Sequence, residues 1–185
     1  ILNVENLLLN LVKIYNLSLN FELYLDKCLK KMKIKHSEKV KTKANNLLMM
    51  NYEAEKIYTD AHDIVDDTEL KSFFRELAFE RNEFARALKN ETIKFGEQPQ
   101  SFEGLNKLSR AYYIFWRNLR PLLKENDTPE LFNQICSIIE WSIDNYNNLL
   151  QEFNLSLSLC KLLVEQRDLL HSKMNSIKAK EILEV

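Results

Sequence analysis

The sequence predicts an all-α protein, and three of its features lead to this class. Glycine and proline are scarce, with two and three residues in a chain of 185, and none of the five precedes Gly96. Tight β-hairpins depend on such residues. Apolar residues recur at steps of three and four over long segments, which is the period of a helix with one buried face. The composition, 45% hydrophobic and 29% charged, is typical of a globular domain with a substantial core.

The composition also limits the kinds of partner and the cellular compartment that fit this sequence. The net charge is −1, so the chain as a whole lacks the basic excess typical of a nucleic-acid-binding protein. No run approaches the roughly 20 apolar residues of a membrane span, and the Leu-rich N-terminus lacks the features of a signal peptide. Cys28, Cys136 and Cys160 are isolated, which suits buried thiols better than a disulfide framework or a zinc site. We therefore expect a cytoplasmic protein that binds no nucleic acid and has no membrane span.

The N-terminal residues 1–40 are predicted to form an element separate from a main domain of residues 41–185. Residues 2–33 carry a helical apolar stripe, and further leucines lie off that stripe. These are Leu9, Leu17 and Leu23. The additional apolar face fits either a helix packed between its neighbours or a face that binds a second copy of the protein.

A lysine-rich segment, Lys27–Lys43, joins this element to the main domain. An anionic partner is one interpretation of such a segment. Because no aromatic or arginine side chain is interleaved, base stacking and bidentate phosphate binding are not indicated. We predict a solvated, mobile junction, with Ser37 capping the helix that follows.

Five helical segments are predicted after this junction. They cover about residues 38–65, 66–95, 102–119 and 128–153, and a last segment after Ser158. The first two are separated by only two or three residues, which implies an antiparallel hairpin.

Caps and breakers mark the ends of these segments. The pair Asp66 and Asp67 is the predicted N-terminal cap of the second segment, and Thr128 is that of the fourth, whereas Gly96 followed by Pro99 is a stop signal. Pro121 has no backbone N–H to donate, so we expect the third segment to bend or end there. A break is also expected at residues 154–158, before the last helix.

Polar side chains interrupt two of the predicted apolar faces near the middle of their helices. Glu80 and Arg81 lie between Leu77 and Phe84, and the last helix repeats this pattern with another polar pair. That pair is Gln166 and Arg167. Since buried charge is costly unless paired, we predict that these four side chains lie near one another or at an edge that water reaches.

Several motifs in the main domain resemble those of a known family. They are Tyr58, the acidic residues at the turn between the first two segments, the segment ELKSFFRELAFERNEFARAL, and the loop from Gly96 to Pro99. Trp116 and His171 also fit the resemblance. In their order and spacing, residues 45–180 resemble a family of bacterial ferritin-like four-helix bundles whose domain has no assigned function. The resemblance implies an antiparallel four-helix bundle with a short crossover helix, to which the N-terminal helix is an addition.

The resemblance also raises the question of a di-iron centre, which many ferritin-like proteins hold. Such a centre needs carboxylates and Glu-x-x-His pairs that converge inside the bundle. The nearest candidates here are Glu55, Glu80, Glu83, Glu140, Asp168 and His171. At 100° per residue, Glu55 and Glu140 lie about 100° from the centre of their inward faces, and Asp168 about 140°. We therefore predict no metal site.

No pattern typical of catalysis occurs in the sequence: it has no Gly-rich phosphate loop and no nucleophile with a base at a suitable spacing. We predict a non-catalytic bundle that acts by homo-oligomerisation or by binding a protein partner, with no cofactor. One alternative is an iron-binding or oxidase-type protein with a degenerate carboxylate site. Another is a binder of a small apolar ligand near Glu80 and Arg81.

Overall fold

The structure is a computed structural model that describes residues 26, 27, 30, 38–94, 106–125 and 128–183. The chain divides into two compact units, Ile1–Lys39 and Val40–Val185. In the first unit, residues 26, 27 and 30 are helical, and Lys30 pairs with Asp26 at 2.8 Å.

Several predictions fall outside the described residues. They are the stripe of residues 2–33 apart from those three positions, the surface formed by Leu9, Leu17 and Leu23, the Ser37 cap, and the loop from Gly96 to Pro99.

The rest of the described chain forms five helices. They are α1 (38–64), α2 (Thr68–Lys94), α3 (Asn106–Glu125), α4 (Thr128–Leu150) and α5 (Leu157–Leu183). Helix α4 packs against α3 and α5, and α2 packs against α5. No strand occurs among the residues that the structure describes. The predicted all-α class is therefore confirmed, as a helical bundle.

Helices α1 and α2 form the predicted hairpin. Asp67 caps α2, because its Oδ1 accepts the backbone N–H of Leu70 at 2.8 Å. Asn51 and Arg81, equally far along the chain from the turn at Asp66, are joined by a hydrogen bond. This pairing is that of two antiparallel helices.

Helix α3 differs from its predicted bounds, since it continues through Pro121 to Glu125. We expected Pro121 to bend or end the helix: that it ends the helix was wrong, and a bend stays a prediction. Proline removes one backbone hydrogen bond and crowds the carbonyl four residues earlier, which here belongs to the exposed Arg117. The buried side chains of Leu119 and Leu123 hold the last turns against the core.

The connection between α4 and α5 also lies earlier than predicted. Helix α4 ends at Leu150 rather than near Phe153, and α5 begins at Leu157. Asn154 has a φ of 60°, a left-handed conformation that asparagine tolerates better than most residues. The Oγ of Ser156 accepts the N–H of Leu159 at 3.2 Å, so Ser156 is the cap that starts α5.

The apolar core extends continuously through all five helices. The apolar residues on the inner face of α5 are buried: Leu159, Leu163, Leu170, Met174 and Ile177. Near the end of α4, Leu149 is fully buried and Leu150 only half-buried. None of the described helices combines the length and the apolar character needed to cross a membrane.

An ion pair and a hydrogen bond tie the helices together at one end of the bundle. Lys43, in the helical part of the predicted lysine-rich junction, donates to the carbonyl oxygen of Asn148 at 2.8 Å and to Glu152 at 2.5 Å. Glu91, near the end of α2, accepts hydrogen bonds from Lys94 and from Ser158 of α5. Burial raises the pKa of Glu91, but these two hydrogen bonds outweigh it and leave the pKa below its ordinary value.

Candidate functional site

Arg81 lies at the centre of the bundle. Its side chain is only 1% exposed and is the largest of those that are fully buried in the described chain. Nη1 donates to Oδ1 of Asn51 at 3.2 Å, and Nη2 donates to Oγ of Ser142 at 3.4 Å. The Ser142 hydroxyl in turn donates to the carbonyl oxygen of Ile138 at 2.8 Å, which leaves its oxygen lone pairs directed at the guanidinium.

The hydrogen bonds continue from Asn51 across the bundle. Its Nδ2 donates to the carbonyl oxygen of Leu47 at 2.8 Å and to the hydroxyl of Tyr146 at 3.0 Å. The Tyr146 hydroxyl donates to Oε1 of Gln166 at 2.9 Å, and Nε2 of Gln166 donates to the carbonyl oxygen of Phe84 at 3.2 Å. We call Asn51, Arg81, Ser142, Tyr146 and Gln166 the polar layer. It links α1, α2, α4 and α5.

Two further tyrosines border the polar layer. The hydroxyls of Tyr58 and Tyr112 are buried, and neither has a hydrogen-bond partner in the described part of the chain. Burial raises the pKa of both phenols, and the charge of Arg81 offsets this only in part. Burial also raises the pKa of Tyr146, and the charge of Arg81 again offsets this only in part. All three tyrosines are therefore neutral near pH 7, and they do not neutralise Arg81.

Glu80 is the carboxylate next to Arg81 in sequence, but it does not pair with it. Its Oε1 is buried without a hydrogen-bond partner among the described residues. Burial raises the pKa of Glu80, and the positive charges of Arg81 and Lys173 lower it by less. The charge of Arg81 is thus solvated by amide and hydroxyl oxygens instead of a carboxylate.

The four side chains predicted to form a polar group are placed differently. Arg81 and Gln166 both belong to the polar layer, and Gln166 is only 3% exposed. Arg167 is half-buried beside Asn147, with Nη1 and Oδ1 at 3.5 Å, and pairs with Asp168 at 2.8 Å. Glu80 lies outside the hydrogen-bonded chain. The structure therefore brings two of the four residues together, through Asn51 and Tyr146.

Sequence reasoning did not identify Asn51, Ser142 or Tyr146 as members of the polar layer. A signal for the first two was present, since Asn51 follows Leu47 by four residues and Ser142 follows Ile139 by three. Such spacings place both polar side chains on inward faces.

The candidate metal ligands lie on different faces of their helices. Glu55 accepts a hydrogen bond from Asn82 at 2.6 Å, and Glu83 pairs with Arg86 at 2.6 Å. The other flank candidates are exposed: Glu140, Asp168 and His171. In the described ranges, no group of three or more His, Cys, Asp and Glu side chains could hold a metal ion. The metal content of the protein remains a prediction.

The outer surface of α3 carries a groove with a volume of about 430 Å³. Its walls are Tyr113, Trp116, Arg117, Arg120, Pro121 and Lys124. Four cationic side chains of α3 are exposed: Arg110, Arg117, Arg120 and Lys124. Tyr113 is 65% exposed, which is high for an aromatic side chain. This surface combines positive charge with aromatic area.

A second cavity, of about 660 Å³, lies beside the turn between α1 and α2. Apolar side chains of four helices line it, among them Leu70, Phe73 and Phe132. Three carboxylates and one cation complete its rim: Asp66, Asp67, Glu69 and Lys124. The carboxylates of this turn and the end of α3 are therefore neighbours.

These features define a class of protein, an all-α helical bundle whose buried polar groups bind mainly one another. The chain belongs to a family described as a domain of unknown function, DUF2383, whose profile matches residues 39–152. That range includes the described part of α1 from its second residue and all of α2, α3 and α4. Comparison with curated proteins and with solved structures found no match.

Proposed function

We propose that this protein is a non-catalytic, ferritin-like helical bundle that acts by oligomerisation or by binding a protein partner. The observation that carries the proposal is the polar layer. A ferritin-like metal centre is built from carboxylates and imidazoles that project into the bundle. Midway along the described helices, the most deeply buried polar side chains are instead Arg81 and the amide and hydroxyl side chains that are bonded to it or to one another.

The charge of Arg81 supports the same conclusion. A guanidinium stays protonated, and a buried positive charge repels a cation strongly because the interior screens charge poorly. The middle of the bundle is thus an unfavourable place for a ferrous ion.

Exposed apolar side chains support a role for the surfaces. Large apolar residues are exposed on several of the described helices: Phe79 and Ile93 on α2, Tyr113 and Ile114 on α3, and Leu157, Val164 and Leu169 on α5. Contiguous exposed apolar area is typical of surfaces that bind another protein. Cys136 and Cys160 are thiols, which supports a reducing compartment such as the cytoplasm.

The proposal is tested on the full chain by light scattering coupled to size-exclusion chromatography and by iron analysis after iron loading. We expect a mass of at least twice the 22.0 kDa of one chain, with no stoichiometric iron. About two bound irons per chain would favour the di-metal alternative. A strict monomer that captures no protein partner would count against a role in association.

A further inference from the structure

The solvent-facing side of α3 is a continuous stripe of positive charge. At 100° per residue, Arg110, Tyr113, Arg120 and Lys124 all lie within about 60° of Arg117. We call these five residues the α3 face. Between positions 106 and 124 the helix has no acidic residue, and its last residue, Glu125, is its only one. From Arg110 to Lys124 the stripe is about 21 Å long.

The cations of the α3 face are available for an intermolecular contact. None of Arg110, Arg117, Arg120 and Lys124 forms an ion pair with another residue of the described chain. They flank a groove whose floor and walls include Tyr113, Trp116 and Pro121. Arginine, tyrosine and tryptophan are the residues enriched at the centres of protein–protein interfaces.

An acidic surface lies at the Lys124 end of the α3 face. Asp63, Asp66, Asp67 and Glu69 are exposed at the turn between α1 and α2, and we call them the acidic turn. Three of them share the rim of one cavity with Lys124 of the α3 face. One end of the row of four cations therefore adjoins a group of exposed carboxylates.

Such a surface is complementary to itself. A two-fold axis through the junction between the two patches places the α3 face of one copy opposite the acidic turn of the other, and the reverse contact follows by symmetry. We infer that a second copy of this chain binds here, as an isologous dimer through the α3 face and the acidic turn. The inference rests on the proposed role in association and specifies its surface and its partner.

The neighbouring acidic turn also argues against a polyanionic partner. Nucleic acid or an anionic lipid surface would be attracted by the α3 face but repelled by the four carboxylates beside it. A second copy presents both signs of charge in the required arrangement. Electrostatic complementarity of this kind selects the partner and orients it.

Charge reversal provides the test. One variant carries Arg117→Glu and Arg120→Glu, and a second carries Asp63→Lys and Asp66→Lys, with Asp67 retained because it caps α2. In each variant the altered patch has no net charge, so neither contact of its homodimer keeps the attraction between opposite charges, and it is expected to dimerise at least about tenfold more weakly than wild type in sedimentation experiments. Mixed in equal amounts, the two variants should form a mixed dimer, because the unaltered acidic turn of the first then meets the unaltered α3 face of the second.

The matched control is Lys161→Glu with Lys178→Glu. It changes the net charge by the same amount as the arginine variant but on exposed positions of α5, outside both patches. We expect it to dimerise like wild type. Circular dichroism and denaturant unfolding of all variants separate loss of dimer from loss of fold.

The possible outcomes distinguish this inference from the broader proposal. A wild-type oligomer that neither charge-reversed variant weakens would overturn the inference and leave the proposed association in place. The inference would also be overturned if both variants were monomeric and formed no mixed dimer when combined. Binding of wild type to phosphatidylserine vesicles or duplex DNA that only the arginine variant loses, with dimerisation unchanged, would assign the α3 face to a polyanion instead.

Discussion

The polar layer and the α3 face both depend on arginine, and they differ in how the guanidinium is surrounded. Arg81 is buried and bonded to Asn51 and Ser142. Arg117 and Arg120 are exposed, beside an aromatic groove. A guanidinium whose partners come from the same chain holds helices together, whereas one without such partners can recruit another molecule. Arg81 thus stabilises the centre of the bundle, and under the proposed association the exposed arginines are the candidates for binding.

The same distinction separates Tyr146, which belongs to the polar layer, from the two tyrosines that border it. Tyr146 both accepts and donates a hydrogen bond, while the buried hydroxyls of Tyr58 and Tyr112 have no partner in the described chain. Burial alone therefore does not identify which polar groups stabilise the fold. Their hydrogen-bond partners do.

Removing Arg81 is expected to have the largest effect. Arg81→Ala leaves a cavity and deprives Asn51 and Ser142 of their partner, so the free energy of unfolding should fall by about 3–5 kcal/mol. Urea denaturation followed by circular dichroism measures it. A loss below about 1 kcal/mol would mean that the polar layer contributes little to stability.

Deleting single hydroxyls tests the layer more finely. Tyr146→Phe strands both Asn51 and Gln166 in the core and should cost about 1–3 kcal/mol. Tyr58→Phe is the matched comparison, and it should lower the free energy of unfolding by less than Tyr146→Phe does, because the Tyr58 hydroxyl does not join two amide side chains as that of Tyr146 does. Equal losses for the two variants would show that their hydrogen bonding does not differ in this way.

Two carboxylates should respond to pH with opposite signs. The lowered pKa of Glu91 means that its ionised form stabilises the folded state above the ordinary pKa, and that this stabilisation is lost as the pH falls through the lowered value. Glu91→Gln should therefore cost about 0.5–1 kcal/mol at pH 7 and almost nothing near pH 3.

Glu80 has a raised pKa, so the folded state favours its protonated form. Ionisation then destabilises the fold as the pH rises above the ordinary pKa. Glu80→Gln should increase stability at pH 7 and leave it unchanged near pH 3. Denaturant midpoints measured from pH 3 to pH 8 for both variants check the two signs, and parallel curves would contradict the assigned environments.

The smallest effect on folding is expected at the α3 face. Arg117→Ala and Arg120→Ala remove exposed side chains, so each should change the free energy of unfolding of the monomer by less than about 0.5 kcal/mol. Measurement at low protein concentration avoids a contribution from association. A loss of unfolding free energy comparable to that of Arg81→Ala would show that these arginines stabilise the fold.

Much of the fold was predictable because helices are encoded locally. The apolar periods of α1, α2 and α5 and the Asp67 cap depend on residues a few positions apart, and all four are confirmed in the structure. The end of α3 was mispredicted because Pro121 is tolerated there by packing of Leu119 and Leu123, which no local pattern reveals. The connection after α4 was placed a few residues too late, since α4 ends at Leu150 instead of near Phe153 and the cap of α5 is Ser156.

The sequence by itself determined that this protein is all-helical, that α1 and α2 form a hairpin, and that polar residues interrupt two apolar faces. Only the tertiary structure decided that Gln166 rather than Arg167 turns inward, and that Asn51 meets Tyr146, 95 residues away in the chain. Helix periods and caps are properties of neighbouring residues. The partner of a buried polar group depends on how each helix is rotated against the others, which the packing of the whole core sets.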